Sequence, residues 1–420
     1  MVATTFLASL SGGGLQSFTF GIFVKPMSEN LGWSRTVITG ALAVRTYSGA
    51  MVAPIFGTLV DRYGPRGLMI LMAIVGGVAC LLLSKVTEPW HFYAIFATIG
   101  LSGGTGAGTV VGEATVNKWF VRLRGRAIAF ATMGNVAAGI ILAPFVGFVI
   151  KTQGWQSAWL IIAWLFFFLL LPFSTITARK PEDMGLFPDG AKNERDFLES
   201  SQKKSFQESL HSWTLKQAFA TKSLWILLLA QICAGFPGSS VVIHHFSYIT
   251  DEGFSNAVGA AVMSTFAFSA MLARITWGLL VERYPVRYCM AVSYFGNVLG
   301  LTILLIGIHF SFSPMLFLFA IVYGLSIGGS VVLTSVAVAN YFGREFVGSI
   351  RGAVMAIVTS STALGPLLTS IAYDSQGTYF GAFIVMIALF LLSSISVLFA
   401  TPPQHKNPIE PANNVSLPYE

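Results

Sequence analysis

The chain has 420 residues, of which 54% are hydrophobic and only 10% are charged, and its formal net charge is +7. Soluble proteins carry about 25% charged residues, so this composition excludes a soluble globular domain and indicates a polytopic helical membrane protein. The positive charge does not indicate a nucleic-acid partner, because the basic residues are distributed between apolar runs rather than clustered in one basic domain.

Twelve apolar runs of membrane length follow one another along the chain, and we number them span 1 to span 12. A helix of about 20 apolar residues crosses the hydrocarbon core of a bilayer. The spans cover about 3–24, 36–60, 67–86, 90–116, 127–150, 156–178, 219–249, 256–281, 288–309, 314–340, 350–373 and 378–400. The sequence therefore predicts an all-α fold with twelve transmembrane helices in two pseudo-symmetric six-helix halves.

A charged, turn-rich interval separates the sixth span from the seventh. We predict an N-terminal half at 1–178, a cytoplasmic linker at 179–216, a C-terminal half at 217–402 and a disordered cytoplasmic tail at 403–420. No Lys or Arg precedes Lys25, so the N-terminus lacks the basic region of a cleavable signal. We expect the first span to be retained.

The basic residues orient the predicted helices. With the N-terminus inside, the inner segments hold 19 of the 25 Lys and Arg residues. The outer segments hold four, and Arg45 and Arg274 lie within spans. Cytoplasmic loops carry an excess of Lys and Arg, so both termini are predicted to be cytoplasmic. We expect an integral plasma-membrane protein, with a bacterial inner membrane as the setting.

An internal repeat relates the two halves. The segment GTLVDRYGPR at 57–66 is nearly repeated by GLLVERYPVR at 278–287, an offset of 221. Trp119-Phe120 matches Tyr341-Phe342 at an offset of 222, and we match Arg124-Gly125 to Arg351-Gly352 at 227 after a small insertion. Repeats related along the membrane normal predict a substrate site between the halves, near mid-membrane.

Arg274 lies in an apolar stretch, eight residues before Glu282. A helix rises about 1.5 Å per residue, so its guanidinium is predicted to lie about 12 Å from the charged end of the helix. A charge in hydrocarbon costs at least about 2.5–3.5 kcal/mol, so the side chain is expected to face a watery cavity or an anion. The alternative is a structural arginine that donates to backbone carbonyls.

Four other ionisable residues are candidates for transport. Arg45 either gates the path as a second anion contact or extends to the outer interface. Glu113 either carries a proton or pairs with a basic residue at the inner helix ends. His244 and His245 point about 100° apart on a helix, so at most one faces the path, where it would contact substrate or a proton; the alternative is polar packing. Weaker candidates, each also explained by an interhelical hydrogen bond, are Gln16, Thr19, Tyr47, Asn135 and Asn340.

The segment GTLVDRYGPR resembles the loop signature of the major facilitator superfamily, Gly-x-Leu-x-Asp-Arg-x-Gly-x-Arg. In that family such loops are thought to hold one of two access states. The second copy has Pro285 where the first has a turn glycine, so we expect its latch to be weaker. The resemblance implies a conformational latch made of Gly57, Asp61, Arg62, Arg66, Gly278, Glu282, Arg283 and Arg287.

Further segments resemble the monocarboxylate porter branch and the related oxalate–formate antiporters. They are FTFGIFVKPMSENLGWSR (18–35), NKWFVRLRGRAIAFATMGNVAAG (117–139), RKPEDMGLFPDG (179–190) and HHFSYITDEGFS (244–255). In that branch an arginine of the eighth helix binds the substrate carboxylate, and Arg274 matches it. The branch's aspartate four residues earlier is Ala270 here, and its first-helix lysine is missing near Phe18-Thr19, so the usual proton-coupling pair is absent. Span 11 has no deep lysine, which favours a monoanion.

The sequence thus predicts a secondary active transporter of a small organic monocarboxylate that works by alternating access. We expect proton symport with His244, His245 or Glu113 as carrier, and the alternatives are an anion antiporter of the oxalate–formate type or an exporter of another small molecule. An enzyme would need a polar catalytic constellation, and a non-transporting receptor would need a larger soluble domain. The expected partners are a carboxylate, a proton and the lipid bilayer. No cofactor, metal or nucleic acid is expected, and the transport unit is expected to be monomeric.

Overall fold

Every regular element that the structure describes is a helix. The structure is a computed structural model of the chain, and it describes residues 1–12, 20–103, 106–191 and 212–403. This is the all-α architecture that the sequence predicts. Gln16 and Thr19, with residues 192–211 of the predicted linker and 404–420 of the predicted tail, lie outside the described residues.

The N-terminal half contributes spans 1 to 6. Spans 5 and 6 each contain a π-helical turn, at Ala138–Leu142 and Phe166–Leu170. The α-helical segments, in span order, are Val2–Ala8 and Phe20–Leu31, then Arg35–Tyr63, then Arg66–Leu83, then Pro89–Leu101 and Gly106–Trp119, then Arg124–Ala137 and Ala143–Gln153, then Trp155–Leu165 and Leu171–Thr175.

The C-terminal half contributes spans 7 to 12. Its helices are Lys222–Asp251, Asn256–Arg283, Val286–His309, Ser313–Ile327 with Ser330–Phe342, Val347–Gln376 and Phe380–Leu398. Among the described residues, nine helices are long and apolar enough to cross a membrane. Span 2, at 29 residues, also exceeds the length that a bilayer requires.

Capping side chains fix where several of these helices begin. The hydroxyls of Ser34 and Ser255 accept from the backbone N–H of Val37 and Val258 at the starts of spans 2 and 8. Such caps satisfy N–H groups that have no partner within the helix. Span 2 ends at Tyr63, and the residue after it, Gly64, has a φ of 82° that is costly for any residue with a Cβ. Local sequence therefore accounts for these helix boundaries.

The predicted linker is only partly an irregular connection. Short 3₁₀ turns form at Pro181–Met184 and Pro188–Gly190. A helix, Leu215–Phe219, begins inside the predicted interval, with a capping box between Thr214 and Gln217. These ordered pieces contact both halves, as described below.

The helix starts give the internal repeat a simpler register than the sequence predicted. Span 5 begins at Arg124 and span 11 begins at Val347, an offset of 223. The predicted match of Arg124 to Arg351 at 227 is therefore wrong by one helical turn, and an insertion of one residue after the Trp119–Tyr341 match replaces the predicted insertion of five. Arg351 lies one turn inside its helix, whereas Arg124 is the first residue of its own.

The halves pack on each other along two pairs of helices. Span 2 lies against span 11, and span 5 lies against span 8, with spans 4 and 10 alongside. One apolar core fills the N-terminal half around Phe23, Phe92 and Trp159. A larger core fills the C-terminal half and reaches across to Phe56 and Met69.

Candidate functional site

The halves are joined at one end of the bundle, which we call the latch end. It contains the last turns of spans 2, 4, 8 and 10 and the first turns of spans 5 and 11. Both copies of the repeated loop signature begin there, at Gly57 and Gly278. The contacts at the latch end come in two related sets, which we call the first latch and the second latch.

In the first latch, the carboxylate of Asp61 accepts hydrogen bonds from the first turn of span 11. Its Oδ1 accepts from the backbone N–H of Gly348 at 3.1 Å, and its Oδ2 accepts from the N–H and hydroxyl of Ser349 at 2.6 and 2.7 Å. Lys118 Nζ lies 2.7 Å from Oδ1, and both side chains are only 5% exposed. A helix N-terminus carries partial positive charge, so an acid of one half caps a helix of the other.

In the second latch, the carboxylate of Glu282 accepts hydrogen bonds from the first turn of span 5. Its Oε1 accepts from the backbone N–H of Arg126 at 2.9 Å, and its Oε2 accepts from Arg126 Nε at 2.8 Å. The Arg126 side chain is 46% exposed and the Glu282 side chain 12%. The geometry repeats that of the first latch, because an acid at the end of one span again caps a helix across the boundary.

Glycines let the helices approach closely at both latches. A Cβ added to Gly57 would lie 2.1 Å from the carbonyl oxygen of Gly348, and one added to Gly125 would lie 2.2 Å from that of Gly278. Real Cβ atoms do not approach so closely, so any larger residue would push the halves apart. The predicted latch glycines, Gly57 and Gly278, thus both lie at the contact.

The four arginines of the repeated signature lie outside these contacts. Arg62, Arg66 and Arg283 are exposed. Arg62 lies over the ring of its neighbour Tyr63, with 5.3 Å from its Cζ to the ring centroid. Arg287 donates to the hydroxyl of the next residue, Tyr288, at 2.9 Å. The acids and glycines of the predicted latch therefore join the halves, and these arginines lie at the surface around them.

A buried ion pair reinforces the first latch one turn further in. Arg351 Nε and Nη2 both donate to Glu113 Oε2, at 2.9 and 2.5 Å, and both side chains are almost fully buried. The other carboxylate oxygen, Oε1, is buried and has no hydrogen-bond partner among the described residues. Pairing with a basic residue near the inner helix ends is one of the two predicted roles of Glu113.

Two further contacts between polar side chains cross the boundary between the halves, and of their four residues only Asn340 was a candidate from the sequence. Arg124 Nη1 donates to Asn340 Oδ1 at 2.6 Å, and the Asn117 amide donates to the Ser335 hydroxyl at 3.0 Å. Asn340, expected in the cavity lining, thus lies at the latch end. The repeated basic turns in the sequence indicated where such contacts could form. Which polar groups meet across the boundary depends on the rotation of each helix about its axis, and the sequence pattern does not determine that rotation.

The start of the predicted linker forms a strap over the latch end. The Asp189 carboxylate accepts from the backbone N–H groups of Val121, Arg122 and Leu123, at distances of 2.9 to 3.3 Å. On the other side, Arg344 pairs with Glu182 and donates to the carbonyl of Lys118 at 3.1 Å. The strap thus contacts the loop after span 4 and the loop after span 10.

Arg274 lies at the boundary between the halves, deeper than the latches. Its Nη1 donates to the backbone carbonyl of Thr132 on span 5 at 2.5 Å, and its side chain is half-buried. Asn135, one turn along from Thr132, has a buried amide oxygen without a partner among the described residues. Glu113 is near enough to interact electrostatically with the Arg274 guanidinium. In this state, Arg274 bonds a carbonyl, as its structural alternative predicts.

The two histidines lie within the C-terminal half. His244 Nε2 is 3.1 Å from the carbonyl of Pro366, and its ring lies 5.3 Å from that of Tyr379. His245 Nδ1 is 2.8 Å from the carbonyl of Val241, and its ring packs against Phe266. His245 is therefore surrounded by the aromatic core, whereas His244 joins spans 7 and 11.

The remaining predicted residues lie in the N-terminal half. Arg45 is buried, and its Nη2 donates to the carbonyl of Gly12 at 3.0 Å, so this side chain does not extend to the interface. Tyr47, two residues further, is exposed. The structure therefore brings Arg274 and Glu113 towards the boundary and keeps His244, His245 and Arg45 inside their own halves.

Comparison with known proteins gives a consistent family assignment. A sequence profile of the Major Facilitator Superfamily matches residues 4–264 and 247–417. Monocarboxylate transporter 2 of Rattus norvegicus is 24% identical over 390 residues, which cover 89% of this chain and 76% of the relative. An uncharacterised MFS-type transporter of Bacillus subtilis, YcxA, is 25% identical over 391 residues, with 91% and 90% coverage.

Solved structures of the same superfamily share the fold. The transporter FucP in its outward conformation superposes with a TM-score of 0.70 and 13% identity, covering 95% of this chain and 97% of FucP. The proton:xylose symporter XylE gives a TM-score of 0.70 with 12% identity and 95% coverage of both chains. At these identities the likeness concerns the fold alone. The predicted twelve-helix architecture of two six-helix halves is confirmed.

Proposed function

The chain belongs to the Major Facilitator Superfamily, and from this membership we propose that it moves a small organic monocarboxylate by alternating access, in symport with protons. It is an integral membrane protein of a transporter family. Relatives named monocarboxylate transporters, matched over about nine-tenths of the chain, support the substrate class. The observation that carries the proposal is the position of Arg274 at the boundary between the halves.

Arg274 is suited to bind and release a carboxylate reversibly. Its guanidinium donates to the neutral carbonyl of Thr132 on the opposite half. A carboxylate is a stronger acceptor than a carbonyl, and a guanidinium binds it through two parallel N–H donors. A substrate anion would therefore replace Thr132 as partner and release span 8 from span 5. Substrate binding would in this way weaken one contact that holds the closed state.

Glu113 is the proton carrier that the geometry supports best among the three candidates. Its carboxylate neutralises Arg351 of the opposite half, whereas the two histidines lie within one half. The other charged groups around it are Arg274 and, one turn towards the latch end, the Asp61–Lys118 pair. Protonation would remove the negative charge that holds Arg351 and would so favour opening of the latch end.

The proposed orientation has the latch end in the cytoplasm. The excess of Lys and Arg in the segments at this end supports it, because such residues are retained on the cytoplasmic side. The setting that we propose is a bacterial inner membrane, with the transporter working as a monomer. The closed latch end would then correspond to a state that faces outward.

The substrate assignment is tested in proteoliposomes with a panel of radiolabelled acetate, lactate and benzoate. We expect saturable uptake by the parent and a loss of about a hundredfold or more in Arg274→Ala, because two charge-assisted hydrogen bonds disappear. Arg122→Ala, at an exposed loop position, is the control and should transport normally. Equal uptake by the parent and Arg274→Ala would contradict the proposal.

The proton coupling is tested by imposing a pH gradient on the same vesicles. We expect Glu113→Gln to lose uptake driven by the gradient while it keeps exchange of labelled for unlabelled substrate. His244→Gln and His245→Gln should both retain the gradient-driven uptake. If a histidine variant loses it and Glu113→Gln does not, Glu113 is not the carrier.

An anion antiporter is the second candidate, and the guanidinium of Arg274 at the boundary suits it equally. An obligate exchanger needs substrate on both sides of the membrane. Uptake into vesicles without internal substrate therefore supports symport, and uptake that requires internal substrate and ignores the pH gradient supports exchange.

A further inference from the structure

Two buried oxygen atoms without a hydrogen-bond partner lie one helical turn apart on span 4. They are Oε1 of Glu113 and Oδ1 of Asn117, and neither has a partner among the described residues. Glu113 is 1% exposed and Asn117 is fully buried. Both belong to the helix Gly106–Trp119, and residues four apart on an α-helix are neighbours on one face. Span 4 therefore presents two unsatisfied acceptors side by side.

Other polar atoms of the same two side chains bond to the opposite half. Glu113 Oε2 accepts from Nε and Nη2 of Arg351 on span 11. The Asn117 amide N–H donates to the Ser335 hydroxyl on span 10 at 3.0 Å. The bond to Ser335 directs the amide nitrogen away from span 4, so the amide oxygen remains available to Glu113.

Two acceptors cannot satisfy each other, but a proton on one of them satisfies both. A buried polar atom without a partner is costly, and a charged one more so. A protonated carboxyl has one O–H donor, whereas an amide oxygen only accepts. Oε1 is the oxygen of Glu113 that is free to take the proton, because Oε2 already accepts from two N–H groups of Arg351. The carboxylate form leaves Oε1 and the Asn117 oxygen without a donor.

The charged groups around Glu113 are mostly basic. Those on the elements packed around span 4 are Arg351, Arg274, Arg124, Lys118, Asp61, the exposed Arg66 and the terminal amine of Met1. The span 1 segment Val2–Ala8 and the span 10 segment Ser330–Phe342 have no charged side chain. A positive charge favours a carboxylate over its acid. A proton carrier at this position therefore needs a group that stabilises the acid.

We propose that Asn117 is a positioning residue for the transported proton, because its amide oxygen accepts a hydrogen bond from the protonated Oε1 of Glu113. The inference rests on the proposed role of Glu113 as the proton carrier. On loading, Oε1 takes one proton from water, and on release it returns that proton to water. Asn117 accepts a hydrogen bond and does not titrate, so no other covalent bond forms or breaks.

This contact lets the proton bind before the latch end opens. In the described state Arg351 is bound to Glu113, and its positive charge opposes protonation. The hydrogen bond to Asn117 offsets part of this opposition, because it stabilises only the acid. Without the Asn117 oxygen, Glu113 would load its proton only at lower pH. Exchange of labelled for unlabelled substrate, which moves no net proton, would be affected less.

The test is infrared difference spectroscopy of the full-length protein in liposomes, titrated from alkaline to acid pH without substrate. We expect a carboxylic acid band that grows as the pH falls and that Glu113→Gln lacks. In Asn117→Ala the same band should grow at a pH lower by about one unit, the shift that loss of one hydrogen bond to the acid produces. The pH profile of gradient-driven uptake should move in the same direction.

Two further variants separate this role from packing. Asn117→Asp is nearly isosteric and keeps an acceptor oxygen, so its Glu113 band should stay at the parental pH or move higher. Thr115→Val is the matched control, because Thr115 is buried on the same helix and its hydroxyl donates to the carbonyl of Val111. It should keep the parental profile. A shift in Thr115→Val as large as that in Asn117→Ala would show a general effect of packing and would overturn the proposal.

The outcomes distinguish this inference from the proposed function. If Glu113→Gln removes no band at any pH, Glu113 does not take up a proton, and both fail. If the Glu113 band is present and has the parental pH dependence in Asn117→Ala, Glu113 remains the carrier and only the role of Asn117 is overturned. A shift to higher pH would mean that Asn117 directs an N–H group at Glu113, which also overturns it. Should Asn117→Ala not fold, Asn117→Leu removes the same oxygen and is judged by the same outcomes.

Discussion

The two latches share one geometry and differ in burial. In each, an acid at the end of one span caps the helix that begins across the boundary, next to a close contact between two glycines. The first latch buries its ion pair, with Asp61 and Lys118 both 5% exposed, while Arg126 of the second latch is 46% exposed. The two latches thus share one backbone geometry, but the ion pair of the first lies in a medium of lower effective dielectric constant than the ion pair of the second.

Two replacements in the repeat accompany this difference. Lys118 lies on span 4, and the residue 222 positions later on span 10 is Asn340. Lys118 pairs with Asp61 within its own half, whereas Asn340 is neutral and accepts from Arg124. Glu282 instead pairs with Arg126, an exposed residue in the first turn of the opposite helix, and the residue 223 positions after Arg126 is Ser349. Both halves of the repeat therefore have an acid that caps the opposite helix, but the basic residue that pairs with this acid differs between them.

The largest effect is expected from Asp61→Ala. Removing one member of a buried ion pair typically costs about 3–5 kcal/mol, because Lys118 is left charged and unpaired. That cost falls on the state in which the latch end is closed, so the variant should populate an open latch end. Spin labels at Tyr63 and Tyr284, exposed residues on opposite halves, would report the distance. An unchanged distance distribution would contradict this reading of the first latch.

The next effect concerns the glycine contact of the first latch. Gly57→Ala would place a methyl group 2.1 Å from a backbone oxygen, and overpacking of this kind costs about 1–3 kcal/mol. We expect a wider separation of the same labels and a lower Tm. Gly67→Ala on span 3 is the control, since nothing lies within 4 Å of its added Cβ. The idea fails if both variants behave alike.

The sequence predicted the architecture closely, because the length of each apolar run and the polar residues that end it are local properties of the sequence. Span 8 was expected at about 256–281 and is Asn256–Arg283, and span 11 was expected at about 350–373 and is Val347–Gln376. The repeat likewise located both latch acids. The error in its register arose because an Arg-Gly pair recurs by coincidence one turn into span 11.

The partners of the site residues could not be predicted in the same way. Asp61 bonds backbone N–H groups 287 and 288 residues away, and Arg274 donates to a backbone carbonyl. Backbone groups have no signature in a sequence, so neither bond was predicted. His245 faces the aromatic core because of the rotation of span 7 about its axis. This rotation depends on packing among many helices rather than on local periodicity.

A smaller effect is expected from Glu282→Ala. The substitution removes a helix cap, worth about 0.5–2 kcal/mol, and an ion pair that is largely solvated. The shift of the label distance should therefore be clearly less than that of Asp61→Ala. A shift as large as that of Asp61→Ala would mean that burial does not distinguish the two latches.

The smallest effect is expected from Arg126→Ala, which separates the two components of the second latch. The backbone N–H of residue 126 still donates to Glu282, so the cap remains and only the exposed side-chain pair is lost. Exposed pairs contribute about 0.2–1 kcal/mol and are screened by salt. We expect a barely measurable shift that disappears in 1 M salt, whereas the effect of Asp61→Ala should persist there because its pair is buried. If Arg126→Ala matched Glu282→Ala at every salt concentration, the ion pair rather than the helix cap would hold the second latch.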